Sequence, residues 1–310
     1  MYRQGRPRQD HKSALENRAR ARYILLAMSR YIGTERAIIL ARGLGTRMQK
    51  RVAGVPLDDE TARLADEGVK GMIPIGRPFL DHALQAMLDG GVRQFCLIVP
   101  PEGSSIRNYY KAVRRSLTAA TISFAVQAEP LGTADAVAAG RQWAGDRPFM
   151  VFNSDNYYTP ETVRALAAAE PPASIAFERK AMIEKSNIAP ERIRRFAVLD
   201  VDEAGTIRRI IEKPQDPDAY ARGGKLYLSM NCWLFTSEIF QACASIAAHP
   251  IRKEYELPAA VQHSIDKMHL RYRAVPLAEG VLDLTGRDDI EPVRRMLANH
   301  QVRFPAPDLW

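Results

Sequence analysis

The feature that most narrows the fold is an alternation of short, almost wholly apolar runs with segments of helical periodicity. The apolar runs are Ala37–Ala41 (AIILA), Gln94–Val99 (QFCLIV), Thr121–Val126 (TISFAV) and Phe149–Phe152 (FMVF). Between them, Phe79–Leu88, Ser105–Leu117 and Gly132–Ala144 repeat apolar residues at helical spacing. Strands joined by helix-length connections predict βαβ units and a mostly parallel sheet. Strands that are apolar at successive positions, rather than alternating with polar residues, suit a sheet covered on both faces.

After residue 155 the pattern loosens. Strands are predicted at Ser174–Phe177, Arg195–Val201, Ile207–Glu212 and Lys225–Phe235, with a turn at Glu203-Ala204-Gly205. Helices follow at Ser237–Ala247 and near Tyr255–Asp266, short strands at Arg271–Val275 and Val281–Leu284, and a closing helix at Ile290–Ala298. Met48–Val69 is polar and too long for a plain βα loop. It is predicted to fold over a site or to carry a helix at Asp59–Ala65. There is no internal repeat and no low-complexity tract.

Charge is unevenly placed. Of the net +8, residues 1–30 carry +6, from eight Arg and Lys against Asp10 and Glu16, which leaves +2 for residues 31–310. A basic leader on a nearly balanced domain does not make a nucleic-acid-binding face. The leader is read as a flexible extension without the apolar stretch of a secretory signal, Met28 being an alternative start. No run of about 18 or more apolar residues is present to span a bilayer. Cys96, Cys232 and Cys243 show no CxxC spacing, which argues against a zinc site or disulfide framework and for a reducing, cytoplasmic compartment.

Residues able to do chemistry gather where the predicted strands end. Ala37–Ala41 runs straight into Gly43-Leu44-Gly45-Thr46-Arg47. Two glycines let backbone N–H groups approach phosphate oxygens, and the arginine adds a planar fork of donors. Taken alone the loop is more often a plain turn than a phosphate site, and it is neither a Rossmann GxGxxG nor a Walker A sequence. Lys70, entering Met72-Ile73-Pro74-Ile75, is either a point charge for a triphosphate or a surface lysine with its stem on apolar neighbours. Gln127 ends a strand before Pro130-Leu131-Gly132-Thr133, where a helix begins. Its amide can read a base edge, and Gly132 lets a flat ring lie against backbone. Asp155, in Ser154-Asp155-Asn156, follows the apolar run at the sheet edge where open α/β folds bind ligands, and suits Mg²⁺ as well as a turn. Glu212-Lys213-Pro214 serves a sugar phosphate or a surface ion pair, and Asp283 a metal or a turn.

The order of these elements resembles that of the sugar-1-phosphate nucleotidylyltransferase family, over about residues 36–300. GLGTR combined with the later Lys70-Gly71-Met72-Ile73-Pro74-Ile75 is similar to that family's glycine-loop and lysine signature. The resemblance implies an α/β, Rossmann-like fold of GT-A type, a three-layer, mostly parallel mixed sheet with an inserted sugar-binding subdomain. It implies a domain over residues 31–300, with a nucleotide-binding half at about 36–156 and a sugar-binding half at about 157–285, and a tail at 301–310. By the same resemblance Gly43, Gly45 and Thr46 hold the nucleotide phosphates, with Ala41 beside them. Arg47 and Lys70 are catalytic, neutralising charge at the α-phosphate and the departing pyrophosphate. Gln127, Pro130 and Gly132 hold the base next to Thr133. Glu212, Lys213 and Asn231 bind the sugar phosphate, and Asp155 and Asp283 bind Mg²⁺. The chain departs from the family pattern in places. Arg42 replaces a small residue, Val69 replaces proline before Lys70, and twenty-two residues lie between Arg47 and Lys70. Ser154 replaces glycine, and Thr285-Gly286 inverts the usual order.

The implied reaction joins two anions, a nucleoside triphosphate and a sugar 1-phosphate, with neither nucleic acid nor membrane as partner; a homo-oligomer is left open. Gln127 suits the N3–H/O4 edge of uracil or thymine, which favours UTP or dTTP, with GTP as the alternative and glucose 1-phosphate as the default sugar. Two further classes share parts of the pattern. One is a GT-A glycosyltransferase using Ser154-Asp155-Asn156 as its metal motif, and the other is a non-catalytic regulatory protein that binds nucleotide sugar.

Overall fold

A computed structural model describes residues 33–101 and 103–307; the basic leader lies outside the described residues. Among these residues the strands, in chain order, are β1 (Arg36–Leu40), β2 (Pro74–Ile75), β3 (Arg77–Pro78), β4 (Gln94–Val99), β5 (Thr121–Val126), β6 (Phe149–Asn153) and β7 (Asn156–Tyr158). They continue with β8 (Ala173–Glu178), β9 (Val198–Val201), β10 (Thr206–Ile211), β11 (Tyr227–Leu228), β12 (Trp233–Phe235), β13 (Tyr272–Leu277) and β14 (Val281–Asp283). Ten of them form one sheet in the order β11-β9-β10-β13-β8-β12-β6-β1-β4-β5. β6, β1, β4 and β5 are parallel neighbours, as helix-length connections require. Beyond β6 the sheet becomes mixed: β12 is antiparallel to β6 and β8, β13 is parallel to β8, and β9 is antiparallel to β10.

β1 shows why its residues after Arg36 are apolar throughout. Ala37 and Ile39 join one buried cluster with the helix Phe79–Asp89, while Ile38 and Leu40 join a second with the helices Thr133–Ala139 and Leu257–Met268. Successive side chains of a strand point to opposite faces, so the sheet is the middle of three layers. From β1 the chain builds outward through β4 and β5, then returns to β6 on the other side of β1. Open α/β sheets bind ligands at such a reversal, beyond the carboxyl ends of the strands. Here those ends are Leu40 and Asn153.

Several boundaries differ from expectation for local reasons. The helix expected over Gly132–Ala144 is two, Thr133–Ala139 and Arg141–Ala144, joined at Gly140. Gly140 packs on β1, where an added Cβ would come within 2.5 Å of Ile38 Cδ1. The strand expected over Lys225–Phe235 divides into β11 and β12 because Asn231 adopts a left-handed φ of 50°, which no strand accommodates. Arg195 and Phe196 close helical turns onto Arg192 and Ile193, which shortens the strand expected from Arg195 to β9. Met48–Val69 does carry a helix, Asp59–Glu67, started by Asp58, whose side chain accepts from the Thr61 amide. The helix Pro160–Ala167 was not anticipated, although Thr159 as cap and Pro160 in the first turn signal it.

The chain after the helix Ile290–Met296 folds back on Phe79–Asp89, burying Phe304, whose carbonyl accepts from Arg77. His82 Nε2 donates to the Ile75 carbonyl at 2.9 Å, so its neutral Nδ1 accepts from His300 Nδ1 at 3.1 Å. Burial pushes both imidazoles below their ordinary value of 6.5, aided by Arg77 at His82 and by His82 at His300. Between 6.5 and those lower values the unfolded chain binds more protons than the folded one, so this pair's contribution is lost as the pH falls. Urea midpoints are expected to drop below about pH 6.5, and the drop to be smaller in His300→Gln.

Candidate active site

Three backbone features assemble the site. The first is the turn after β1: Ala41 N bonds the Ile98 carbonyl, and the chain then passes through Gly45, at φ 61°, into the short helix Thr46–Gln49. The second is Gly68, at φ 73°, which closes the helix Asp59–Glu67. The two glycines press backbone to backbone. A Cβ on Gly45 would lie 2.1 Å from the Gly68 carbonyl oxygen, and one on Gly68 would lie 2.3 Å from the Leu44 carbonyl oxygen. The insert between Arg47 and Lys70 is thereby docked on the glycine loop, and Lys70 begins the next turn. Alanine at Gly68 combines left-handed strain with a backbone clash and is expected to lower the unfolding free energy by about 2 kcal/mol or more, read from urea titrations.

The third feature is the end of β6. Ser154 N bonds the Leu40 carbonyl, tying the ends of β1 and β6 together, and Asp155 follows at the sheet edge. Lys70 Nζ donates to Asp155 Oδ2 at 2.8 Å, with the two side chains 14% and 26% exposed. The sequence's candidate cation and its candidate metal ligand, 85 residues apart, are thus in contact. Arg47 is exposed on the Thr46–Gln49 helix and forms no ion pair among the described residues.

These features surround a crevice of about 530 Å³. Ala41, Gly43, Gly45, Thr46 and Arg47 line it from the glycine loop, and Lys70 and Asp155 from across the reversal. Gln127, Pro130, Gly132 and Thr133 close its far end. That end is held by Tyr255, whose amide donates to the Leu131 carbonyl at 2.6 Å and whose carbonyl accepts from Ala134 N at 2.9 Å. Glu254, Ser104 and Ser105 also line the crevice. Sequence reasoning missed them: Glu254 belongs to no motif, and Ser104 reads as the cap it is, accepting from Arg107 N. Arg42 lines the crevice too, with Nε donating to the Gln127 backbone carbonyl at 3.4 Å.

Four candidate residues lie outside this lining. Asp283 is buried behind Asp155: β14 pairs Asp283 with Asn156, and Leu284 N bonds the Asp155 carbonyl. Burial, and then the Asp155 charge, push the Asp283 carboxyl above its ordinary range, against Thr285 and Arg192. Its Oδ2 accepts from Arg192 at 2.7 Å and Thr285 at 2.6 Å, and its Oδ1 from Asn156 at 3.2 Å. Glu212 is exposed, yet crowding by its neighbours and then Glu256 push its carboxyl up, against Arg252 and Lys213. Lys213 (φ 45°) and Asn231 (φ 50°) both hold left-handed backbone, a strained conformation in non-glycine residues that is concentrated at functional sites.

The donor set suits a hard divalent cation in one respect. Mg²⁺ takes one or two carboxylates and completes its shell with water and phosphate oxygens. Asp155 has an oxygen that accepts nothing among the described residues, while Asp283 stands close enough to feel its charge. Asp155 is therefore the more available carboxylate, and Asp283 is already engaged by three donors.

The sequence profile of the nucleotidyl transferase family matches residues 36–284. The chain is 28% identical over 236 residues to a glucose-1-phosphate thymidylyltransferase of Streptomyces griseus, covering 74% of this chain and 57% of the relative. It is 26% identical over 227 residues to the UTP–glucose-1-phosphate uridylyltransferase AglF of Haloferax volcanii, covering 73% and 81%. The chain thus spans little more than half the length of the first relative. In fold it is similar to a UDP-glucose pyrophosphorylase solved in complex with UDP-glucose, at a TM-score of 0.64 and 16% identity over 86% of this chain and 99% of that one.

Proposed function

The chain belongs to the nucleotidyl transferase family, and from that premise we propose that it transfers a nucleoside monophosphate unit from a nucleoside triphosphate to a sugar 1-phosphate, releasing pyrophosphate. The observation that carries this reading is the meeting of Lys70 with Asp155 at 2.8 Å in the β1/β6 reversal, beside the Gly43–Arg47 loop. A cation, a carboxylate and a run of main-chain amides at one sheet edge is the equipment for polyphosphate.

The mechanism follows from charge. The attacking sugar-phosphate oxygen is already ionised, so no side chain need remove a proton. What obstructs the reaction is repulsion between two polyanions. Amides of the Gly43–Thr46 loop and the cations of Arg47 and Lys70 oppose that repulsion, in positions set before substrate arrives. Asp155, with Asp283 behind it, would hold Mg²⁺, which when bound supplies further positive charge for the phosphates. Attack in line on the α-phosphorus expels pyrophosphate directly, with no covalent enzyme intermediate and with sequential kinetics. Glu212, Lys213 and Asn231, on the far half of the sheet, are proposed to receive the sugar phosphate.

UTP or dTTP is the favoured nucleotide and GTP the alternative, with glucose 1-phosphate as the first sugar to try. Cys96, Cys232 and Cys243 are buried free thiols, which fits a reducing, cytoplasmic setting. Among the described residues no helix is long and apolar enough to cross a membrane. The reading is tested with a matrix of five nucleoside triphosphates against several sugar 1-phosphates and Mg²⁺, scored by pyrophosphate. Pyrophosphate formation that requires both substrates is expected. Release of nucleoside diphosphate from a nucleotide sugar would instead mark a glycosyltransferase, and tight binding of nucleotide sugar by an inert protein would mark a regulatory one.

A further inference from the structure

We infer that Asp135 is a positioning residue that fixes the Gln127 amide with its oxygen toward the base, so that the site selects bases carrying a ring N–H beside a keto oxygen. The inference rests on the transfer reading above and names the nucleotide class it takes.

Gln127 follows β5 and is only 3% exposed. Its Nε2 donates to the Gly132 carbonyl at 3.0 Å and to Asp135 Oδ2 at 2.7 Å. A side-chain amide has two N–H hydrogens, so both are used. Among the described residues no donor reaches Oε1, the polar atom left for a ligand in the crevice that Gln127 lines. Turning the amide over would set Oε1 against a carbonyl oxygen and a carboxylate at once. The carboxylate contributes the larger part of that bias, because hydrogen bonds to charged groups are the stronger ones.

The frame around this amide is rigid. Asp135 sits in the first turn of the helix Thr133–Ala139, where the helix dipole favours a negative charge. Gly132 holds φ 109°, and a Cβ on it would come within 2.5 Å of the Tyr255 carbonyl oxygen. The loop carrying the second acceptor is therefore clamped against Tyr255.

An oxygen with no hydrogen to give sorts bases by what their ring nitrogen presents. Uracil and thymine offer N3–H between keto oxygens, and guanine offers N1–H beside O6. Cytosine N3 and adenine N1 offer a lone pair beside an amino group, so in the same seat two acceptors face each other. Leaving such a pair unmatched disfavours the ligand.

The test compares the full chain with Asp135→Asn and Asp135→Glu. It measures kcat/KM for UTP, dTTP, GTP, CTP and ATP by pyrophosphate release, and the binding of each triphosphate by calorimetry. Wild type is expected to prefer the keto bases over CTP and ATP. Asp135→Asn, whose amide can face Gln127 either way, is expected to narrow that preference roughly tenfold; Asp135→Glu is expected to restore it. Should the asparagine variant not fold, Asp135→Ser reads the same ratio, its hydroxyl being donor or acceptor. A wild-type preference for CTP or ATP overturns the inference. So does an unchanged ratio in a folded variant, including an equal loss toward all five, which marks a merely structural residue. If no substrate pair releases pyrophosphate, the transfer reading fails, and the calorimetric ratios still decide the role of Asp135.

Discussion

Replacing Arg47 by alanine is expected to lower kcat roughly 10²–10³-fold, the usual consequence of losing one preorganised donor to developing charge. The side chain projects from the Thr46–Gln49 helix into the crevice, exposed and without an ion-pair partner among the described residues. Its removal breaks no packing and leaves no orphaned carboxylate, so thermal stability should hardly move. The loss should appear in kcat more than in KM, because the role proposed for the guanidinium is greatest when charge shifts toward pyrophosphate. Arg47→Lys keeps the charge but not the planar fork and should recover only part of the rate. Near wild-type turnover in the alanine variant would remove Arg47 from the mechanism.

Asp155→Asn is expected to cost more, roughly 10³-fold in kcat, the scale of the several kcal/mol a bound metal ion contributes at a transferring phosphoryl group. Asparagine keeps the shape, so the effect isolates the charge. That charge does two things in the structure: it pairs with Lys70 at 2.8 Å and it acts on buried Asp283. Neutralising it frees Lys70 from its place and, on the proposed role, weakens the attraction for Mg²⁺. Saturating Mg²⁺ should therefore fail to restore turnover. Full recovery at high Mg²⁺ would show that Asp155 only tunes metal affinity. Unchanged turnover at ordinary Mg²⁺ would remove Asp155 from the site.

How legible this was in the sequence depended on the kind of signal. The parallel half could be read because a buried strand such as Ala37–Ala41 must be apolar on both faces, and because Gly43 and Gly45 follow it directly. Lys70 is named from its motif, but its spacing from Arg47 departs from the family pattern, and spacing alone does not show that Gly45 and Gly68 fit only backbone to backbone, which brings the insert home. The second half was harder. Its pairings are mixed, mostly antiparallel with β13 parallel to β8, and Asn231, read as mid-strand, bends the chain through left-handed backbone. Glu254 lines the crevice only because Tyr255 is bonded to Leu131 more than a hundred residues earlier. Asp135 reads in sequence as an ordinary first-turn carboxylate; its bond to Gln127 needs the turn through Gly132 to be seen in space.

Direct transfer between two anions, without a covalent stop on the protein, is tested by the stereochemical course at the α-phosphorus. The substrate is the chiral α-thio analogue of whichever triphosphate releases pyrophosphate. A single in-line displacement gives a nucleotide sugar with inverted configuration, and inversion is the expected result. Retention would mean two displacements through an enzyme-bound nucleotide, and would contradict a site in which main-chain amides, Arg47, Lys70 and Asp155 only position and neutralise.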